Sequence, residues 1–116
     1  MNEQIEKLRI DEFERVDMRV GTIVNVTDFP EARKPAYQLT IDFGNQIGIL
    51  KSSAQITNRY AIDDLLRKQI IAVVNFPKKQ IGKFFSECLV LGAVGVAGDV
   101  VLLNADFKVE NGLRIG

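Results

Sequence analysis

The sequence of 116 residues predicts an all-β fold, a small β-barrel with one short helix. Apolar and polar residues alternate in several short stretches, which is typical of strands with one buried face. Residues 69–76 are almost continuously apolar and rich in β-branched side chains, as in a strand buried on both faces. Only residues 54–67 have the looser apolar spacing of a helix, so strands dominate the prediction.

The first half of the chain supplies a helical lead-in and three strands. In the lead-in, residues 1–15, Asp11 followed by Glu14 predicts a capping box at a helix start. The strands are expected at residues 16–26, 37–43 and 47–52, with even-numbered residues of the first strand facing the core. Gly21 predicts a bend or bulge in that strand, and Gly44-Asn45 a turn between the second and third.

The second half completes a barrel. Residues 54–67, as one helix or two short turns, precede strands at 69–76 and 84–91, with a loop at 77–83 between them. This order of elements, with three strands followed by a helix and two more strands, is that of a five-stranded OB fold. Residues 99–116 exceed what that barrel needs, and are expected to cover it or to pair with a second subunit. The sequence therefore predicts one OB-fold domain over residues 1–116 with N- and C-terminal extensions.

Composition limits the function. With 47% hydrophobic and 26% charged residues the chain is typical of an ordinary globular protein, and no apolar run approaches the ~20 residues of a membrane span. The first ten residues lack the pattern of a signal peptide, so a cytoplasmic protein without membrane insertion is expected. The single Cys88 lies in an apolar run, which predicts a buried, unreactive thiol.

The absence of histidine is the most decisive count. Imidazole is the usual partner of Ser and Cys nucleophiles and the commonest metal ligand, so Ser-His and Cys-His sites and a structural zinc site are excluded. Asp63-Asp64 could offer carboxylates to a hard cation, but the pair is more typical of a helix start. We therefore expect no catalytic residue, no metal and no cofactor.

Charge is unevenly distributed along a chain whose net charge is zero. Residues 1–31 carry a net charge of −4, whereas residues 32–87 hold nine bases against four acids. OB folds bind oligonucleotides with the loops between strands 1 and 2 and strands 4 and 5. Here those loops, residues 27–35 and 77–83, carry five bases and are flanked by four phenylalanines: Arg33, Lys34, Lys78, Lys79 and Lys83, with Phe29, Phe76, Phe84 and Phe85.

This interleaving of cations and aromatic rings suits a flexible or looped RNA, since cations contact phosphates and rings can stack on bases. The alternative is that the lysines keep the loops hydrated and the phenylalanines belong to the core. Ser52-Ser53 and Ser86-Glu87, at strand ends, could likewise contact RNA or cap backbone groups. The glycine run at residues 92–98 is expected to be a turn, because a strand rather than a helix follows it.

Several ordered motifs together resemble the tRNA-binding OB-fold family, some of whose members are fused to aminoacyl-tRNA synthetases. They are DMRVGTI at 17–23, FPEAR at 29–33, SAQIT at 53–57, VVNFP at 73–77 and Ser86-Glu87. The resemblance extends from about Phe13 to Gly116. Cys88-Leu89 stands where members often have Gly-Met, and Phe29-Pro30 where they often have His-Pro. Both departures fit a branch of small bacterial proteins described as export-associated chaperones.

The resemblance implies a homodimer of OB folds, assembled through the terminal extensions, that binds tRNA by its shape. It also implies affinity for unfolded or precursor polypeptides. Two hypotheses follow. In the first, the protein is a non-enzymatic RNA-binding dimer, with contacts from Arg33, Lys34, Asn75, Lys78, Lys79, Lys83, Ser86 and Glu87. In the second, it is a polypeptide-binding chaperone whose apolar groove contains Phe76, Phe84 and Phe85.

Overall fold

The computed structural model describes residues 6–116, in which short strands predominate. The helices are α1 (Ile10–Glu14), α2 (Gly44–Ile47) and α3 (Ile62–Leu65). The strands are β1 (Met18–Asp28), β2 (Tyr37–Asp42), β3 (Ile49–Ala54), β4 (Gln69–Val73), β5 (Lys79–Ile81), β6 (Phe84–Ser86), β7 (Leu89–Val90), β8 (Gly92–Val94) and β9 (Val100–Leu102). No helix in this part of the chain is long and apolar enough to span a membrane.

Five antiparallel strands form the central sheet in the order β3-β2-β1-β4-β7. The sheet curls until its two ends nearly meet, because the segment that joins β6 to β7 reaches β3. There the Glu87 backbone N–H donates to the Lys51 carbonyl at 2.7 Å, and the Ser53 N–H donates to Ser86 Oγ at 3.1 Å. The prediction of an all-β, five-stranded OB fold is confirmed.

Strand β1 bends sharply enough to pair with β2 at one end and with β4 at the other. Its register with β2 shifts between Ile23 and Asn25, so the extra residue of the bulge is Val24, which is 46% exposed. The prediction that even-numbered residues face the core is therefore wrong at this point, since Ile23 is fully buried. Gly21 does not form the bulge; a Cβ there would lie 2.7 Å from Ile41 and Phe43, so this glycine permits close packing.

The core fills the barrel with side chains from all the long strands. Those that are fully buried include Ile23, Leu39, Ile41, Phe43 and Ile70. Leu65, also fully buried, enters from α3. Residues 54–67, predicted as one helix or two short turns, form two short turns, one at residues 57–59 and the helical turn α3, and Ala54 belongs to β3. The helix start at Asp63-Asp64 is confirmed, with Asp64 Oδ2 accepting the Ala61 N–H at 2.9 Å.

Four other local predictions are corrected. Helix α1 begins before Asp11, and its cap is formed by the Glu12 carboxylate, which accepts the Arg9 N–H at 2.9 Å. Gly44-Asn45 opens the helical turn α2 instead of a two-residue hairpin turn. Residues 77–83 are not simply a loop, because β5 pairs with β6 in a hairpin. The strand predicted at residues 84–91 is accordingly divided into β6 and β7.

The C-terminal extension covers the barrel. The glycine run at residues 92–98 is a turn only in part: Gly92–Val94 form strand β8 because they pair with β9, and residues 95–98 form the turn that joins the two strands. Residues 107–115 form only an isolated bridge, Arg19 to Arg114, instead of a strand. They lie along β1, where the Gly112 N–H donates to the Val20 carbonyl at 2.7 Å and Asn111 Oδ1 accepts the Thr22 hydroxyl at 2.7 Å. Of the two expectations for this segment, covering the barrel is the one that is seen.

Candidate nucleic-acid interface

The β5–β6 hairpin organises the candidate site. Its strands pair Lys79 with Ser86 and Ile81 with Phe84, and its turn contains Gly82, whose φ of +62° lies in the left-handed region that glycine tolerates. The hairpin stands beside β3, at the place where the barrel closes. This hairpin thus carries two of the predicted lysines, Lys79 and Lys83, away from the core, and Lys78 comes immediately before it.

Ser86 and Glu87 anchor the base of the hairpin to β3. Glu87 Oε1 accepts the Lys51 N–H at 3.0 Å, and Glu87 Oε2 lies 3.5 Å from Lys78 Nζ. Ser86 Oγ accepts the Ser53 N–H. These side chains therefore satisfy backbone donors that a regular strand ladder would otherwise satisfy. Their part in contacting RNA stays a prediction.

On one side of the hairpin lies a pocket of about 620 Å³, between the β1–β2 connection and strand β5. We call it the polar pocket. It brings together cations from two distant parts of the sequence, along with side chains that can accept or donate hydrogen bonds: Arg33, Lys34, Lys79, Glu31, Ser53 and Gln55. The two predicted loops therefore do converge.

On the other side lies a second concave surface of about 370 Å³, which we call the lysine face. It is lined by Lys51, Lys78, Lys83, Phe84, Phe85 and Glu87. Lys51 comes from β3 and was not among the residues predicted for the site. Its position could have been found from the alternation in β3, where Ser52 is buried and Lys51 points outward.

The cations around the hairpin are largely unneutralised. Within residues 6–116, no carboxylate lies within 4.0 Å of Arg33, Lys34, Lys51, Lys79 or Lys83. Lys78 alone has a neighbour, Glu87, and that lysine side chain is still 68% exposed. A protein with zero net charge thus presents a positive surface on both sides of one hairpin.

The four phenylalanines separate into different environments. Phe29 is 4% exposed and its ring packs against that of Phe84, with centroids 5.2 Å apart, so both contribute to packing. Phe85 is 47% exposed on the lysine face. Phe76 is 54% exposed and lines a distinct apolar pocket of about 270 Å³ with Cys88 and Leu89, the Phe76 pocket. The three residues of the predicted peptide groove therefore do not share one pocket.

Asn75 connects the end of β4 to the N-terminal lead-in. Its Nδ2 donates to the Arg15 carbonyl at 2.7 Å, and its Oδ1 accepts the Asp17 N–H at 3.1 Å. It lines neither the polar pocket nor the lysine face. The structure gives this amide a local structural role, and its contact with RNA stays a prediction.

Cys88 is buried, as predicted. Burial, with a smaller contribution from the charge of Glu87, raises the pKa of the Cys88 thiol to about 12. Because the thiolate is the reactive form, nucleophilic chemistry at this position is disfavoured.

Comparisons with known proteins agree with this geometry. A family model described as "Putative tRNA binding domain" matches residues 18–114. The crystal structure of chaperone CsaA from Bacillus anthracis str. Ames has a TM-score of 0.90 and 49% sequence identity, covering 96% of this chain and 100% of that one. The CsaA chaperone protein from Picrophilus torridus has a TM-score of 0.89 and 53% identity, covering 95% of this chain and 100% of that one.

Curated relatives include much longer proteins. Methionine–tRNA ligase of Thermococcus onnurineus (strain NA1) is 33% identical over 112 residues, which are 97% of this chain and 15% of the ligase. The chain thus spans about a sixth of the length of such relatives. Its similarity to the ligases is confined to one module of them.

Proposed function

Since this chain belongs to the tRNA-binding domain family, we propose that it is a non-enzymatic protein that binds tRNA around the β5–β6 hairpin. The observation that carries the proposal is the set of five cations without a carboxylate partner in residues 6–116, placed on the two sides of that hairpin. Their ammonium and guanidinium groups would neutralise phosphates. Phe85, half exposed among the lysines, offers a ring face on which an unstacked base can stack.

The roles divide by position. Arg33, Lys34 and Lys79 would contact phosphates from the polar pocket, whereas Lys51, Lys78 and Lys83 would do so from the lysine face. Such contacts position the protein on the RNA without reading its sequence. Recognition would therefore depend on the shape of the tRNA backbone, with Ser86 and Glu87 holding the hairpin in place.

The double variant Lys78→Ala/Lys79→Ala tests the site, because it removes one cation from each side of the hairpin. Fluorescence anisotropy should show weaker binding to every tRNA species alike, and a salt slope shallower by about 2. Lys108→Ala is a matched control, since Lys108 is an exposed lysine of the C-terminal extension. Unchanged affinity and slope in the double variant would count against this site.

The protein is further proposed to act as a homodimer assembled through its extensions. Large apolar side chains of the β8–β9 hairpin and of the C-terminal extension are strongly exposed, with Val94 at 80%, Val96 at 90% and Phe107 at 78%. Exposed apolar side chains that would form a patch are typical of subunit contacts. In light scattering, Val96→Asp should reduce the mass to that of a monomer, whereas Val24→Asp, an exposed valine of β1, should not. A monomeric parent protein would contradict this assembly.

A second candidate function is polypeptide binding at the Phe76 pocket. That pocket is lined mainly by apolar groups, including the exposed side chains of Phe76 and Leu89, and would accept an apolar side chain of an extended chain. The CsaA structures similar to this chain are titled chaperones. Phe76→Ala should then weaken capture of an unfolded polypeptide and leave the salt slope of tRNA binding unchanged. Equal capture by the variant would remove this candidate.

A further inference from the structure

The composition of the polar pocket is unusual for a surface that contacts only phosphates. Glu31 shares the pocket with three cations, yet no cation lies within 4.0 Å of its carboxylate in the part of the chain that the structure describes. A carboxylate repels phosphate. It is, however, a strong acceptor for the N–H groups at the edge of a nucleic-acid base.

Two neighbouring polar side chains in the pocket, Gln55 and Ser53, can also bind a ligand. Neither the Gln55 amide nor the Ser53 hydroxyl makes a side-chain hydrogen bond to another residue within 6–116. The amide of Gln80, by contrast, is engaged with the Gly82 carbonyl at 3.0 Å. Gln55 is exposed, so its amide can present a donor and an acceptor side by side, the pattern that pairs with a base edge.

The shape of the pocket fits the same ligand. About 620 Å³ lies within the range of roughly 300 to 1,000 Å³ that small-molecule sites occupy. Ala32, Ala36 and Ile81 add apolar wall on which the face of a base can lie. A base held in a duplex cannot enter, because its Watson–Crick edge is already paired and its faces are stacked.

We propose that the polar pocket receives one unpaired nucleotide of the bound RNA. Arg33 and Lys79 would hold its phosphate, and Glu31 with Gln55 would hold the edge of its base. This inference rests on the proposed function and adds to it: besides the shape of the RNA backbone, the protein would recognise a nucleotide that is free of base pairing.

The test compares tRNA with two synthetic RNAs, a short blunt-ended duplex and the same duplex with one bulged nucleotide. The parent protein should bind the bulged duplex about tenfold more tightly than the blunt one, as one bidentate base contact would provide. Gln55→Leu should abolish that preference while leaving affinity for the blunt duplex unchanged. Gln46→Leu, at an exposed glutamine of α2, should keep the preference.

A second variant separates recognition from electrostatics. Glu31→Ala removes a negative charge, which favours both duplexes, and should nevertheless reduce the preference for the bulged one. If Glu31 were only a repulsive neighbour, both affinities would rise by the same factor. Melting temperatures of both variants should match the parent because Glu31 and Gln55 are exposed.

The outcomes distinguish the two proposals. If the parent protein binds tRNA and both duplexes, but shows no preference for the bulge, the nucleotide pocket is wrong and tRNA binding stands. Retention of the preference in Gln55→Leu would also overturn it. If the protein binds none of the three RNAs, the proposed function fails and the pocket fails with it.

Discussion

Gly112 shows how one residue seals the C-terminal extension onto the barrel. Its φ is +90°, and a Cβ at this position would lie 2.5 Å from the Phe43 carbonyl oxygen. Its N–H donates to the Val20 carbonyl at 2.7 Å, beside the buried core. At this position the C-terminal extension can approach the barrel so closely only because the residue has no side chain.

Gly112→Ala should lower the free energy of unfolding by both backbone strain and this clash. The matched control is Gly82→Ala, where φ is also positive but nothing lies within 4 Å of the added Cβ. The control should cost about 1 kcal/mol from its backbone conformation alone. Gly112→Ala should cost at least about 1 kcal/mol more, as overpacking does. Urea unfolding measures the free energy of unfolding of both variants. Equal losses would mean that the structure around Gly112 adjusts to the added Cβ without further cost.

Asp17, just before β1, forms ion pairs with Arg19 of β1 and with Arg114 of the C-terminal extension. The Arg19 guanidinium, with Nε 2.6 Å from Asp17 Oδ1, and to a lesser extent Arg114, hold the pKa of Asp17 below its usual value. A carboxyl whose pKa is lower in the folded state stabilises the fold above its unfolded pKa, about 4, and this stabilisation is lost as pH falls through the folded pKa.

Asp17→Asn should therefore reduce the free energy of unfolding by about 1 kcal/mol at pH 7. The difference from the parent should shrink below about pH 4, as the parent carboxyl becomes protonated. Asp28→Asn serves as control, because no cation lies within 4.0 Å of that exposed carboxyl in the described residues. Unfolding curves at several pH values measure the difference; one that stays constant down to pH 2 would contradict this assignment.

At the scale of elements, the long strands were predictable and the short hairpin was not. Alternation over six residues identifies β2, and the strand predicted at 47–52 overlaps β3 at residues 49–52. Strands β5 and β6 have three residues each, too few to show a period. The proline, glycine and three lysines of residues 77–83 are residue types that are typical of a loop. In β1 one bulged residue, Val24, moves every following side chain to the other face. A bulge depends on pairing with β2, which a single stretch of sequence does not contain.

The candidate site was likewise predictable only in part. Its cations on the two connecting loops follow from the strand order and the charges of the sequence. Lys51 and Gln55 lie outside those loops: the alternation in β3 shows that Lys51 points outward, but only the folded barrel brings these two residues beside the hairpin. The bonds of Glu87 to Lys51 likewise depend on how the barrel closes.

The anchoring of the hairpin can be tested at Glu87. Glu87→Ala leaves the Lys51 N–H without its acceptor, so the free energy of unfolding should fall by about 1 to 2 kcal/mol. Hydrogen exchange followed by NMR should show a faster Lys51 amide while the amides of β1 stay protected. Glu110→Ala is the control, at an exposed glutamate of the tail. A Lys51 amide that exchanges as slowly as in the parent would show that another group holds the hairpin.

At the scale of the whole molecule, folding brings bases from separate parts of a neutral chain together around one hairpin. The acids concentrate in residues 1–31, and the bases of the two central loops meet around one hairpin. Whole-chain charge predicts no attraction to nucleic acid, whereas the local field around Lys51, Lys79 and Lys83 favours it. We therefore expect tRNA to bind by neutralisation of its phosphates at this surface.

The salt dependence of tRNA binding measures how many phosphates the protein neutralises. Fluorescence anisotropy with labelled, deacylated tRNA at about 50 and 200 mM salt gives Kd at each concentration. If about five phosphates are neutralised, affinity should fall by at least on the order of a hundredfold between the two. A Kd that is the same at both salt concentrations, or no binding at the lower one, would contradict the account.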